Sequence, residues 1–196
     1  MRIGTKTLLF GVHQVILHPL MVARAWRMLY GPIRDLRLWI AFIVHDLGYW
    51  GLPNLDGPEG QLHPYLGARI MGRLFGPEWY RFCLYHSRHL ARAMGEPHSP
   101  LAVADKLAIC CYPEWLYFFL ARASGEIVEY REEARKGIRQ NPRFAMHCAK
   151  WAYTQDDRDW YRAVRAYMME WVLKHKDGQQ DTVTPVRHQT NPLERN

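Results

Sequence analysis

The apolar run Leu-Trp-Ile-Ala-Phe-Ile-Val, from Leu38 to Val44, closes on an adjacent imidazole and carboxylate, His45-Asp46. A segment apolar nearly all round is expected at the centre of a helical protein. A carboxylate carried into that environment without a partner costs several kcal/mol. Whatever this chain folds into must therefore bring compensating groups to that helix end. The sequence offers them: His18 before the pair, then His63, His86 and Asp105 after it, each on or at the mouth of an apolar helix face. Four imidazoles and two carboxylates so placed can hold one or two divalent metal ions.

The surrounding pattern is helical almost throughout, with no convincing strand and no internal repeat, so the expected fold class is all-α. From His18 the apolar positions Val22, Ala25, Trp26 and Leu29 recur at three- and four-residue spacing until Gly31-Pro32. A central helix is expected over about Arg34 to Leu47, followed by a Gly- and Pro-rich loop over residues 48–60. A further helix opens near His63-Pro64. Beyond Gly76-Pro77 the spacing predicts one helix with Trp79, Phe82, Cys83, His86, Leu90 and Ala93 on a single face. Ser99-Pro100 caps and opens another, through Asp105 to Cys111. Four more segments follow: Trp115 to Ala123, Glu126 to Arg139, Pro142 to Tyr153, and Asp157 to Lys174. The aromatics of the last (Trp160, Tyr167, Trp171) with Val164 and Met168 fit a core face rather than a cofactor box. A single domain over 1–175 is expected, with a polar, disordered tail over 176–196.

Composition narrows the class further. The chain has 196 residues and 26 basic against 19 acidic side chains. The cations are dispersed rather than gathered in a stripe, so nucleic-acid binding is not indicated, and a small phosphorylated substrate fits as well. Cys83, Cys110, Cys111 and Cys148 match no zinc spacing and read as reduced thiols. No signal peptide is recognisable and no stretch reaches the ~18 apolar residues that span a bilayer. A cytoplasmic protein without a membrane partner is the expectation; the oligomeric state is left open.

Each candidate also has a plainer reading. His45 could be a hydrogen-bonded core histidine and Asp46 a helix cap. His13 rivals His18 as the first ligand, but His18 continues directly into the amphipathic pattern. Asp105, among Leu101, Ala108 and Ile109, needs either a metal or an Arg. His63 could be a helix-start residue and His86 a core histidine. His89, one turn on, would support a ligand rather than be one.

Taken together, the order His18-x3-Val-Ala, His45-Asp46-Leu-Gly, His63-x3-Gly67-Ala, His86 and Ala104-Asp105-Lys106-Leu resembles the HD superfamily of metal-dependent phosphohydrolases. The likeness covers about residues 13–111, with additional helices over 113–175. It implies an HD-type helical bundle in which His18, His45, Asp46 and Asp105 bind a first metal. His63 and His86 correspond to the extra ligands of the binuclear branch, bridged through Asp46, the residue at the catalytic centre. The chain lacks the Gly-Tyr-Pro of the cyclic-dinucleotide phosphodiesterase branch, and Tyr85-His86 stands in place of its His-His pair. Gly48-Tyr49-Trp50 follows His-Asp, where some nucleotidase members carry a Glu nearby.

Such ligands suit Mn, Fe, Co, Ni or Zn without selecting among them. Two ions would activate water toward a phosphoryl group. Arg88 and Lys106, each near a ligand in sequence, are candidates for contacting phosphate, with Arg24, Arg69 and Arg92 in reserve. Trp50 or Tyr49 could stack on a base. The ligand set is equally compatible with the di-iron oxygenases of the superfamily, and a non-catalytic ligand-binding module is a third possibility.

Overall fold

The structure is a computed structural model that describes residues 1–140 and 156–182. Ten α-helices and two short 3-10 turns make up its regular structure, with no strand among the described residues. The helix expected over Pro142 to Tyr153, the Cys148 thiol and most of the polar tail lie outside the described residues.

The N-terminal segment forms α1 (Ile3–Phe10), which the periodicity of so short a stretch did not announce. α2 (Leu17–Tyr30) buries His18, Val22 and Ala25 on one face and stops at Gly31, whose φ of 81° is costly for any residue with a Cβ. In α3 (Leu36–Val44), the Asp35 side chain accepts a hydrogen bond from the Arg37 amide at the N-terminus. The helix ends three residues earlier than the apolar pattern suggests. His45 and Asp46 leave it in a turn that runs into a 3-10 segment, Leu47–Tyr49.

A second 3-10 turn, Gly60–Leu62, delivers His63 to the start of α4 (Pro64–Phe75), with proline in the first turn as expected. The single helix expected beyond Gly76-Pro77 is instead two. α5 (Pro77–Leu84) unwinds at Tyr85, and Ser87 opens α6 (Arg88–Ala93) by accepting a hydrogen bond from the Leu90 amide. His86 therefore sits in a turn and not on a helix face. α7 (Pro100–Cys111) follows, its Ser99 in the N-cap position without a side-chain cap bond. α8 (Glu114–Ser124) and α9 (Glu126–Gln140) are separated by Gly125 at φ 87°. α10 (Asp157–His175) is capped by Asp156, which accepts from the amides of Arg158 and Asp159.

α7 is the hub, packed against α2 on one side and α10 on another. Val22 and Ala25 of α2, Phe42 of α3, Met71 of α4, Cys83 of α5 and Leu101 of α7 share the main core. A second cluster joins Val12, Tyr112, Tyr117 and Phe118 to Trp160, Tyr161 and Val164. No helix among the described residues is long and apolar enough to cross a membrane. Cys83, Cys110 and Cys111 carry free thiols.

Two glycines let the His45-Asp46 turn lie flat on its neighbours. A Cβ at Gly48 would collide with the His63 carbonyl. One at Gly67 would stand 2.6 Å from the Val44 carbonyl oxygen and 2.8 Å from the His45 Cα. Both neighbours are backbone, which cannot swing aside as a side-chain tip would. Gly67→Ala is therefore expected to cost about 1–3 kcal/mol of stability, read by denaturant titration. The same substitution lowers metal retention after dialysis.

Candidate metal centre

Five places in the chain converge on one point. α2 supplies His18, and the turn after α3 supplies His45 and Asp46. His63 comes from the start of α4, His86 from the α5–α6 turn, and Asp105 from the middle of α7. All six are buried. His18 Nε2 lies 3.2 Å from Asp46 Oδ2 and 3.1 Å from Asp105 Oδ1. His45 Nε2 is 3.2 Å from the same Asp46 oxygen and 3.9 Å from Asp105 Oδ1. The other Asp46 oxygen, Oδ1, faces His63 Nε2 and His86 Nε2, each at 3.4 Å. Two groups able to hold a metal ion result, His18–His45–Asp46–Asp105 and Asp46–His63–His86, with Asp46 in both.

The donor chemistry fits metal ions. Nδ1 of His45 donates to the Phe42 carbonyl at 3.0 Å, that of His63 to Gly60 at 2.6 Å, and that of His86 to the Cys83 carbonyl. A carbonyl only accepts, so each ring keeps its proton on Nδ1 and turns the Nε2 lone pair inward. The Nε2 atoms of His63 and His86 stand 3.0 Å apart. Two lone pairs at that distance need a cation between them. A proton is a poor choice, because burial pushes both imidazoles below their ordinary value. Nε2 of His18 and His45 and Oδ2 of Asp46 are likewise buried without a hydrogen-bond partner, which is costly unless something else satisfies them. Two atoms each about 2.1 Å from one ion lie about 3.0 Å apart at right angles and about 3.4 Å apart at the tetrahedral angle. The observed separations within the shared Asp46 pairs fall in that range.

Electrostatics point the same way. Burial opposes ionisation of Asp46, yet His45 first, and then His18 and His86 beside it, hold its carboxyl well below the ordinary carboxylate range. Burial opposes that of Asp105 too, and Lys106 with His18 and His45 overcomes it. Burial also opposes a charged His45, but Asp46 and Asp105 push the imidazole up to about 10, so a proton and a metal ion compete for its Nε2. Both acids are thus anionic, and the cluster attracts positive charge.

Five of the six ligand candidates, all but His45, border a cavity of about 230 Å³. Arg88, Lys106 and His89 line it as well. Lys106 Nζ is 2.8 Å from Asp105 Oδ2, so its ammonium pairs with a candidate ligand. His89 is buried and outside both groups. Trp50 departs from expectation: it is 63% exposed and does not line the cavity, because the 3-10 turn sends it outward. Tyr49 is buried and stacks on the His63 ring at 3.9 Å between centroids, which fixes that imidazole and leaves no face for a base. Arg24 and Arg69 are exposed and outside the lining, and Arg92 borders a smaller neighbouring pocket with Arg88. The α10 aromatic face is core, as expected, and also wall: Trp160 and Val164 are core residues, and with Tyr167 and Met168 they line the cavity.

His13 is no ligand. Its Nδ1 lies 3.0 Å from Thr7 Oγ1 and 3.4 Å from Glu126 Oε2, and its ring sits 5.1 Å from that of His18. Glu126 is fully buried at the α8–α9 junction, where Thr7, Ser124 and the Val12 amide donate to Oε1 and Tyr130 donates to Oε2. Burial opposes charge on both partners, but the His13–Glu126 pairing raises the imidazole and lowers the carboxyl. Sequence reading missed this carboxylate, since Glu126 looks like an ordinary acidic residue in a first helical turn. The only hint was His13, already notable as a polar residue near His18.

No family model, curated protein or solved structure matches the chain. The buried His/Asp cluster, compatible with an HD-type site, stands on its own geometry. Metal analysis of protein saturated with Mn and desalted is expected to give about two ions per chain. His63→Ala should retain about one, and Asp46→Ala should retain neither tightly.

Proposed function

We propose that the chain is a metal-dependent phosphohydrolase acting on a phosphomonoester or phosphodiester of a nucleotide or another small phosphorylated metabolite. The observation that carries the reading is the Asp46 carboxylate shared by two buried ligand groups beside a cavity that also presents cationic side chains. Bound there, divalent ions supply Lewis acidity that lowers the pKa of water and neutralises charge on phosphoryl oxygens.

The chain's own residues do the positioning. The Nδ1 bonds of His45, His63 and His86 to backbone carbonyls fix three rings, and the Tyr49 stack restrains the His63 plane. Lys106 holds one oxygen of Asp105, leaving Oδ1 toward His18. The apolar wall of Ile109, Val164 and Met168 limits the water that can enter. His13 keeps its Nδ1 proton: Thr7 gives its own hydroxyl hydrogen to Glu126 and so accepts from the ring. That leaves Nε2, on the far side of the ring; in the imidazolium that Glu126 favours it carries a second proton, which can pass to the leaving oxygen of the substrate and return the ring to its neutral Nδ1–H form.

The test is a screen of nucleotides and phosphomonoesters with protein supplied with Mn, Co or Ni. Phosphate release is expected with at least one of them, and His45→Ala should abolish it together with metal retention. His13→Gln should lower kcat by about a hundredfold or more while KM and metal content stay near wild type. Metal content below one ion per chain, or His45→Ala without effect, sinks the reading. Two bound irons with oxygen consumption and no phosphate release would replace it with an oxygenase.

A further inference from the structure

The cavity has two side chains of permanent positive charge among its described lining residues, Lys106 and Arg88. Lys106 is spent on Asp105. Arg88 is only partly exposed as a residue, and its Nε and Nη1 are shut away from solvent without a hydrogen-bond partner. The guanidinium lies 4.7 Å from the centroid of the Trp171 ring, and no ion pair among the described residues includes it. Against burial, Tyr167, Asp181 and Asp56 favour its charge, the two acids without closing an ion pair to it, and Asp181 also accepts from Trp171 Nε1 at 3.2 Å. Held by an aromatic face and closed into no ion pair, the guanidinium keeps buried N–H groups that a ligand anion would satisfy. Arginine's planar fork is suited to receive a carboxylate or phosphate.

Arg88 is also anchored away from the metal ligands. Its support is Trp171, on α10, whereas the six candidate ligands come from α2, the α3 end, the α4 start, the α5–α6 turn and α7 and face Asp46. The cavity, at about 230 Å³, is far larger than one phosphate requires, given that about 10–15 Å³ of such space already admits a water. We infer that Arg88 is a recognition residue for a second anionic group, so that the substrate is a small molecule with two anionic ends. One end is the phosphate that meets the metal cluster, an assignment that rests on the phosphohydrolase reading. The other is a carboxylate or further phosphate drawn to Arg88, and the apolar side chains of Ile109, Val164 and Met168 accommodate the part that joins them.

Equilibrium binding to the Mn-loaded protein tests this without any turnover. Three phosphonates that cannot be hydrolysed serve as probes: propylphosphonate with one anionic end, phosphonopropionate with an added carboxylate, and propane bisphosphonate with an added phosphonate. Titration calorimetry is expected to show at least one two-ended probe binding about tenfold or more tighter than propylphosphonate. Which of the two gains more identifies the second group. Arg88→Gln should erase the gain while leaving propylphosphonate within about twofold, and Arg88→Lys should keep part of it. Arg88→Gln should keep the wild-type helical circular-dichroism spectrum and Mn content, which keeps loss of binding separable from loss of fold. Equal affinities for all three probes, an equal loss for all three in Arg88→Gln, or no binding of any overturns the inference. Discrimination that persists in a protein releasing phosphate from no ester keeps the anion site and sinks the phosphohydrolase reading instead.

Discussion

The Asp46 carboxylate is the constraint around which the rest is arranged. It is a buried anion at the end of the most apolar helix of the chain, with each oxygen committed to a different pair of imidazoles. In a low-dielectric interior such a charge is tolerable only when its surroundings are fully specified. That requirement explains why α2, α4, the α5–α6 turn and α7 all send a polar side chain to the same point. It explains too why glycines stand at 48 and 67, where any side chain would push the turn away from α4.

Another buried acid, Glu126, is stabilised by a different solution. Where Asp46 and Asp105 face imidazole lone pairs and call for a cation, Glu126 is saturated by donors from α1, the α8 end, the Val12 amide and Tyr130, with His13 beside it. One carboxylate set is left for a metal and one is completed by protein. The difference lies in the hydrogen count: hydroxyls and amides bring protons, whereas neutral imidazoles bonded through Nδ1 to carbonyls bring none. Arg88, near the same cavity and of opposite sign, keeps Nε and Nη1 buried without a hydrogen-bond partner, as Asp46 keeps its Oδ2.

Much of the site was legible because buried charge is conspicuous in a helical pattern. His45-Asp46 ends an apolar run, and Asp105 interrupts a row of aliphatics; neither is economical without partners. His86 was legible as a ligand but was misplaced on a helix face. The apolar spacing continues across Tyr85-His86-Ser87 as though the helix did, and only the Ser87 cap, a local hydrogen bond that competes with the helix, breaks it. Trp50 was read as a stacking surface from its nearness to the ligands, but the 3-10 turn rotates it outward. Glu126 left no periodic signal, since its partners come from α1 and the α8 end, more than a hundred residues away in the case of Thr7.

By itself the sequence determined the all-α class, most helix limits and a set of side chains that must be partnered, because periodicity and buried charge are local quantities. Only the tertiary structure decided which Asp46 oxygen faces which imidazoles, that His13 belongs to Glu126 and not to the metal site, and that Arg88 lies against Trp171 with two buried N–H groups unpartnered. Those facts depend on distances between segments remote in the chain, set by how α7 packs between α2 and α10.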